Sequence, residues 1–323
     1  MTILTLPRQQ TLHASPVLAG ASMLQGTSLY QRTLATAATC TGVGVHSGEN
    51  VTLRLLPAPV NHGVVFVRTD LVNGARTIPA LWNHVVDTKL CTVIANPHGG
   101  RVATIEHLMA AIYAYGLDNL IIEINGNEAP VMDGSSDHFV AMIEDAGIVD
   151  QNAARRFIEV LKPVEILHNG KRAALTPSAQ SRYSINIDFD RAPIHRQSYE
   201  LNLSANGFKQ EISRARTFGF YEEVEQMQAA GFGRGGSLEN AIVIKDDQIM
   251  NEDGLRYKDE FVRHKLLDAV GDLALAGAPI RGHFHGSCSG HAMNNQLLRA
   301  LFVDATAWQY VTPADNIQLA ANA

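Results

Sequence analysis

The chain has 323 residues, of which 46% are hydrophobic and 18% are charged, and 32 acidic against 26 basic side chains give a formal net charge of −6. This apolar content excludes a largely disordered chain. The acidic balance argues against a nucleic-acid-binding protein, because phosphate neutralisation requires a basic face. The sequence contains no run of about 18 apolar residues, so it predicts no membrane-spanning helix. The three cysteines, Cys40, Cys91 and Cys288, are too few and too far apart for a disulfide framework, which favours a reducing, cytoplasmic location.

The first half of the chain predicts short strands and two helices. Alternating or continuous apolar runs predict strands at 51–56, 64–70, 90–95 and 119–125. Helical spacing predicts a helix over 104–115, for which Gly116 is a suitable end, and a second helix from Asp137 to about Asp145, ending at Gly147.

The second half begins the pattern again after a polar link at 150–154. Its predicted strands lie at 156–166, 183–189, 197–203 and 241–245. Its predicted helices lie at 208–216, 222–230, 259–276 and 294–303, and a glycine-rich stretch at 282–290 precedes the last of them. Because each half reads as strands followed by helices, the sequence predicts an α+β fold.

A chain of this length predicts roughly two domains. We place a first α+β domain at residues 31–152 and a second at 153–312, the latter carrying an insertion at 219–247. Residues 1–30 are interpreted as a flexible N-terminal extension rather than a signal peptide, because polar and small residues interrupt their weakly apolar run. Residues 313–323 form a C-terminal tail in this division.

The segment from Phe261 to Asp272 has the most informative spacing. His264 and Asp268 are four residues apart, so on a helix they share a face and could hold one metal ion. Asp272 extends that face by another turn and could orient a ligand by hydrogen bonding. The alternative is an ordinary surface pair of histidine and aspartate.

Glu106 and His107 are adjacent on the other candidate helix. Neighbouring helical residues point about 100° apart, so one could ligate a metal while the other reaches a water molecule. A buried or capping histidine beside an exposed glutamate is the alternative. Together with His264 and Asp268, however, His107 would supply three ligands and leave a fourth position open for water, which is the pattern of a catalytic zinc site.

The stretch from Gly282 to His291 supports competing interpretations. His283 and His285 would share one face of a strand and could ligate metal. Cys288 lies within Gly-Ser-Cys-Ser-Gly, which resembles a nucleophile elbow and would suit a cysteine hydrolase using His291 or His285. A flexible turn with solvated histidines is the simplest alternative, and His291 is the strongest functional candidate of the group.

Five motifs resemble one known family when they are taken in chain order. They are similar to the UDP-3-O-acyl-N-acetylglucosamine deacetylases, the zinc enzymes of the committed step of lipid A synthesis, and the resemblance extends from about Gln31 to Thr312. The motifs are Thr41-Gly-Val-Gly-Val-His-Ser-Gly48, Thr104-Ile-Glu-His-Leu108, Val131-Met-Asp-Gly-Ser135, Ser213-Arg-Ala-Arg-Thr-Phe-Gly219 and Phe261-Val-Arg-His-Lys-Leu-Leu-Asp268.

The resemblance implies two similar α+β domains, each an antiparallel sheet, with helices packed at the shared interface. It also implies that Zn²⁺ is the cofactor and that UDP-linked acylated glucosamine is the substrate, and we expect a monomeric, cytoplasmic enzyme without a nucleic-acid partner. The roles that it implies are zinc ligation by His107, His264 and Asp268, general-base catalysis by Glu106, charge stabilisation or proton donation by His291, oxyanion binding by Thr217, and substrate contacts by Lys265, Lys171, Phe189 and Phe218.

Some positions depart from the pattern of the resembling family. Lys89 and Arg234 stand where relatives carry apolar residues, the latter in the insertion expected to form the passage for the acyl chain. His283 and His285 occupy positions that are not histidine in relatives, which argues against essential ligation. The competing hypotheses are a cysteine-dependent hydrolase built on Cys288 and a non-catalytic protein that binds nucleotide sugars or metal.

Overall fold

A computed structural model describes residues 28–312. Most of the predicted N-terminal extension and the whole predicted tail at 313–323 therefore lie outside the described residues. Within 28–312 the fold is α+β, as predicted, and none of its helices is long and apolar enough to cross a membrane. The boundaries placed at 31–152 and 153–312 stay a prediction.

The elements alternate between short strands and a few helices. In the described range the strands are β1 (Tyr30–Leu34), β2 (Ala38–Val43), β3 (Asn50–Pro57), β4 (Val64–Arg68), β5 (Thr77–Pro79), β6 (Val85–Asp87), β7 (Val93–Ala95), β8 (Arg101–Val102), β9 (Leu120–Ile124), β10 (Ile148–Ala154), β11 (Phe157–Val160), β12 (Val164–His168), β13 (Lys171–Thr176), β14 (Ser181–Asp188), β15 (Arg196–Asn202), β16 (Phe218–Phe220), β17 (Ile242–Lys245), β18 (Gln248–Ile249), β19 (Ile280–Ser287) and β20 (Trp308–Val311). The helices are α1 (Glu106–Ala114), α2 (Asp137–Ala146), α3 (Ala205–Glu211), α4 (Tyr221–Ala229), α5 (Glu260–Ala274) and α6 (His291–Val303).

Two larger sheets organise the chain. One has five strands in the order β2-β3-β9-β4-β5, and the other has seven, built on the path β12-β13-β19-β11-β20 with β14 and β15 continuing from β19. The sheets are mixed rather than purely antiparallel, because β4 pairs parallel to β9 and β19 pairs parallel to both β11 and β14. The predicted insertion at 219–247 contains helix α4 and strand β17, and the small sheet β16-β17-β18 extends just beyond it at both ends.

The polar link expected at 150–154 is instead part of β10, which pairs antiparallel with β1. Its polar residues follow from its place in a two-stranded ribbon, where much of the strand faces solvent. The glycine-rich stretch at 282–290 is largely the interior strand β19 and not a turn. A side chain at Gly282 would lie 2.7 Å from Val160, so glycine permits close packing there.

The helix expected over 208–216 is shifted toward the N-terminus. Ser204 caps α3 by accepting a hydrogen bond from the backbone N–H of Gly207, and the helix ends at Glu211. The chain then runs irregularly from Ile212 to Thr217 before β16 begins. This irregular segment supplies carbonyl and amide groups to the site described below. Strand β13 has no counterpart in the predicted elements.

Helices α1 and α5 pack directly against each other in the interior. Both are buried on nearly every side, so neither has the one-sided apolar pattern of a surface helix. Gly271 permits the contact, because a β-carbon there would lie 2.0 Å from the carbonyl oxygen of Glu106. The close approach of α5 to the start of α1 therefore depends on the absence of a side chain at this position.

We expect Gly271→Ala to lower the free energy of unfolding, although alanine is favoured over glycine by roughly 1 kcal/mol inside a helix. The added methyl group forces α1 and α5 apart, an overpacking cost of about 1–3 kcal/mol or more. Urea denaturation followed by circular dichroism measures the change. Gly207→Ala in α3 is the control, because the nearest atom to its new methyl group is the movable hydroxyl of Ser204. Equal or greater stability of Gly271→Ala would contradict the packing argument.

Candidate active site

The contact between α1 and α5 brings together His107, His264 and Asp268. Each offers one ligand atom, and these atoms lie within 4.8 Å of one another at a buried position. The carboxylate Oδ1 of Asp268 is 3.3 Å from Nε2 of His264 and 3.7 Å from Nε2 of His107. Two imidazoles and a carboxylate that converge in this way form a site that fits a divalent transition metal.

Neighbouring groups fix the orientation of these ligands. Nδ1 of His264 lies 3.0 Å from the carbonyl oxygen of Ala215, which leaves Nε2 facing the other two ligands. Lys265 donates to Oδ2 of Asp268 at 2.6 Å, so Oδ1 is the oxygen available to a metal. Ser136 donates to the carbonyl oxygen of His107 at 2.7 Å and secures the first turn of α1.

The ionisation of the ligands suits metal binding. Burial, assisted by the nearby His264, lowers the pKa of His107 to about 3, and burial also lowers the pKa of His264. Both rings are therefore neutral and keep a lone pair for ligation. Burial opposes ionisation of Asp268, but the positive charge of Lys265, which donates a hydrogen bond to its Oδ2, holds the pKa of Asp268 far below the usual range.

Glu106 lies beside the ligands at the N-terminus of α1. Its side chain is buried, and its Oε2 accepts a hydrogen bond from the backbone N–H of Thr92 at 3.1 Å. Burial raises the pKa of Glu106 to about 7, with Asp268 and Asp272 adding to the rise and His291 opposing it. A carboxyl group with a pKa near neutrality is suited to taking and returning a proton.

His291 faces Glu106 from the first residue of α6. Its Nε2 is 3.7 Å from Oε1 of Glu106, and its Nδ1 is 2.9 Å from Oδ2 of Asp272. Asn294 also donates to that oxygen at 2.9 Å. Burial alone would lower the pKa of His291, but the carboxylates of Asp272 and Glu106 outweigh it and raise the pKa to about 10. The imidazole is therefore a fixed positive charge at neutral pH.

A buried ion pair anchors the segment that carries Ala215 and Thr217. Glu260 is fully buried and accepts hydrogen bonds from Arg216 through its backbone N at 3.0 Å, its Nε at 2.9 Å and its Nη2 at 3.2 Å. The next residue, Thr217, donates its backbone N–H to Gly134 at 2.8 Å. The pair therefore holds both the carbonyl that orients His264 and the backbone of Thr217.

Three of the predicted substrate residues lie near the metal ligands. The ring of Phe218 is 6.2 Å from that of His264 and 5.9 Å from that of Phe189, and Nζ of Lys265 is 5.7 Å from the Phe218 ring. Lys171 is exposed at the start of β13, where the neighbouring Arg172 pairs with Ser287. It therefore lies at the end of the sheet from which the chain leads to His291.

The histidines of β19 form a separate pair. The ring centroids of His283 and His285 are 3.7 Å apart, with the ring planes tilted by 38°. Nε2 of His283 contacts Ser184 and Nε2 of His285 contacts Thr176, on opposite neighbouring strands. Because these nitrogens point apart, the two rings are poorly arranged to share an ion. They are absent from the metal-ligand cluster found among the described residues.

Cys288 has some features of a nucleophile elbow. It lies between a strand and a helix and adopts a positive φ of 48°. Its predicted partner is engaged elsewhere, since the two ring nitrogens of His291 face Asp272 and Glu106. Within residues 28–312, no hydrogen bond joins Cys288 to His291 or His285. The geometry therefore gives no support to a cysteine hydrolase.

The two positions that depart from the family pattern, Arg234 and Lys89, are both exposed. Arg234 is exposed in the insertion, and its backbone N–H donates to the carbonyl of His46 at 3.3 Å, which joins the insertion to the turn after β2. Lys89 is exposed, and its backbone N–H donates to Asp87 at 3.0 Å.

Several contributors to the site were not singled out from the sequence. They are Thr92, Ala215, Arg216, Glu260, Gly271 and Asn294. Of these, Gly271 could have been found from the sequence, because a glycine inside a strong helical pattern often marks a close contact between elements. The others act through contacts between distant chain segments, which the local sequence pattern does not reveal.

The fold and the site together are those expected of a metal-dependent hydrolase, with the buried carboxylate of Glu106 beside three side chains that could hold a metal ion. A family model described as "LpxC: UDP-3-O-acyl N-acetylglycosamine deacetylase" matches residues 31–303. The chain belongs to this family, which confirms the resemblance inferred from its motifs.

Curated relatives of the same name match almost the whole chain. The chain is 50% identical over 294 residues to the UDP-3-O-acyl-N-acetylglucosamine deacetylase of Neisseria meningitidis serogroup B (strain ATCC BAA-335 / MC58), covering 90% of this chain and 96% of that protein. It is also 50% identical over 291 residues to the protein of that name from Haemophilus influenzae (strain 86-028NP), covering 90% and 95% of the respective chains.

We expect Glu260→Gln to reduce the free energy of unfolding by about 3–5 kcal/mol, because it leaves the Arg216 guanidinium buried without its countercharge. The double variant Arg216→Met, Glu260→Leu recovers much of that loss. Chemical denaturation of the two variants measures the coupling. Glu165→Gln, which breaks the exposed pair with Arg172, is the control and changes stability by less than about 1 kcal/mol. An equally small effect of Glu260→Gln would refute the anchoring role.

Proposed function

We propose that this chain hydrolyses the N-acetyl group of UDP-3-O-acyl-N-acetylglucosamine, releasing acetate and the free amine in the committed step of lipid A synthesis. The observation that carries the proposal is the convergence of His107, His264 and Asp268 beside Glu106 and His291. Relatives that are 50% identical over nearly their whole length bear the name of this deacetylase. We further propose Zn²⁺ as the metal and a monomeric, cytoplasmic enzyme.

The ligand set supports zinc in particular. Two neutral imidazoles and one carboxylate are common protein ligands of catalytic zinc, and three such ligands leave a coordination position for substrate or water. When bound, zinc polarises a carbonyl group and lowers the pKa of water to about 7. Hydrogen bonds occupy Nδ1 of His264 and Oδ2 of Asp268. The other ligand atoms, Nε2 of His264 and Oδ1 of Asp268, therefore face each other.

Glu106 acts as the general base in this proposal. Its Oε2 is held by Thr92, and its Oε1 faces His291 next to the ligand set. It takes a proton from the water molecule that attacks the acetyl carbonyl. When the carbon–nitrogen bond breaks, Glu106 or His291 delivers a proton to the leaving amine, so that acetate and an amine result.

His291 and Thr217 stabilise the negative charge that develops on the acetyl oxygen. Asp272 keeps His291 in its charged form and fixes the direction of its ring. The backbone of Thr217 is held on one side by Gly134 and on the other by Ile242, whose N–H donates to it at 2.8 Å. Hydrogen-bond donors that are held in place before the reaction, as proposed for His291 and Thr217, contribute a few kcal/mol each to the stability of a transition state.

The remaining substrate contacts are assigned from the resemblance of this chain to its family. Lys265 and Lys171 supply positive charge for the phosphate and sugar groups, so an acidic protein can still bind an anionic nucleotide sugar locally. Phe189 stacks on the uracil and Phe218 lines the approach to the ligands. The insertion at 219–247 forms an apolar passage for the acyl chain.

We expect His264→Ala to lose bound zinc and Glu106→Gln to keep it, because only the first removes a ligand. Both variants lose most acetate release, and removal of a general base costs about 100- to 10,000-fold in rate. Elemental analysis of each purified variant, combined with acetate release from the UDP-linked substrate, separates the two effects. Near-normal turnover of a stringently purified Glu106→Gln protein would refute its role as base.

We expect a chelator to abolish acetate release and added Zn²⁺ to restore it, since the proposed chemistry requires the metal. Cys288→Ala retains activity and the wild-type protein resists inactivation by iodoacetamide, because Cys288 has no role in this mechanism. The same acetate assay measures all four responses. Chelator-resistant activity that alkylation destroys would favour the cysteine hydrolase instead, whereas substrate binding without acetate release would favour a non-catalytic binder.

A further inference from the structure

Thr92 connects the two carboxylates that act on opposite sides of His291. It precedes β7 and is only 2% exposed. Its backbone N–H donates to Oε2 of Glu106 at 3.1 Å, and its hydroxyl donates to Oδ1 of Asp272 at 2.6 Å. One residue therefore contacts carboxylates on two different helices.

These contacts form a closed ring with the histidine. Glu106 contacts Thr92, Thr92 contacts Asp272, Asp272 contacts Nδ1 of His291, and Nε2 of His291 lies 3.7 Å from Glu106. Within the ring, Thr92 is the member that carries no ionisable group. It holds Glu106 through its backbone N–H and Asp272 through its hydroxyl, so one residue fixes the positions of both carboxylates.

The hydroxyl has a specific task within this ring. Asp272 is buried, and its two carboxylate oxygens accept hydrogen bonds from different donors. Oδ2 accepts from His291 and Asn294, and Oδ1 accepts from Thr92. Without the hydroxyl, Oδ1 loses this donor in a buried environment, and the carboxylate is free to rotate in search of another. Rotation of Asp272 would turn the ring of His291 away from the ligand set.

We propose that Thr92 is a positioning residue for the deacetylation, holding the direction of Asp272 and through it that of His291. The inference rests on the proposed function and adds a residue that contacts neither metal nor substrate. The side chain must be small, because the site is buried, and must carry a hydroxyl, because an amide or carboxylate could not donate one short bond in the same space.

Thr92→Val is the decisive variant, because valine keeps the shape of threonine and the backbone N–H to Glu106 but removes the hydroxyl. We expect kcat to fall about 10- to 100-fold, the usual effect of losing a group that orients an active-site residue. KM for the UDP-linked substrate and the zinc content stay close to those of the wild type. Thr92→Ser restores the hydroxyl and recovers most of the kcat.

A matched control comes from another buried threonine. Thr33 is 5% exposed, and its hydroxyl donates to the carbonyl of Asn119 at 2.7 Å. Thr33→Val removes a buried hydroxyl outside the site and lowers stability while leaving kcat per folded molecule unchanged. All variants are assayed at equal concentrations of folded, zinc-loaded protein.

The outcomes separate this inference from the proposed function. Absence of acetate release by the wild-type protein would refute the proposed function itself. An active wild type with unchanged kcat in Thr92→Val would overturn only the role of Thr92. The role would also be overturned if Thr92→Ser lost as much activity as Thr92→Val, or if the loss in Thr92→Val appeared equally in Thr33→Val.

Discussion

The site depends on how closely α5 can approach the first turn of α1. A single missing side chain, at Gly271, lets the backbone of α5 meet the carbonyl of Glu106. That approach places His264 and Asp268 of one helix beside His107 of the other. A larger distance between the helices would separate His107 from Asp268 and leave the buried imidazole without that partner, whereas His264 and Asp268, four residues apart on α5, would keep their own contact.

Burial of so many charges requires that they be satisfied in pairs. Lys265 faces Asp268, His291 lies between Asp272 and Glu106, and Arg216 neutralises Glu260. These arrangements cost desolvation energy, so the fold is not simply stabilised by them. The ion pairs instead fix the orientation of the buried side chains, because a carboxylate or imidazole with fixed partners cannot rotate freely. The ionisation states needed for ligand binding and proton transfer follow from the same partners.

Much of the fold and the central residues could be predicted from the sequence. Helical spacing revealed that His264 and Asp268 share a face, and the motif order suggested the family that the comparisons confirmed. Local pattern failed where tertiary context decided the structure, as in the glycine-rich strand β19 and the polar strand β10. The role of Thr92 could not be predicted from the local sequence for the same reason, since it depends on contacts with residues that are distant in the chain. The structure brings the three candidate ligands together, but the catalytic roles, the substrate contacts and the domain boundaries stay predictions.

The three candidate metal ligands come from widely separated parts of the chain, with His107 on α1 and the other two on α5. A ribosome therefore produces the first imidazole long before its companions emerge. A growing polypeptide has no complete pocket to offer an ion until α5 has left the exit tunnel and docked. Binding of the proposed metal by all three residues is consequently a late event in the folding of the molecule.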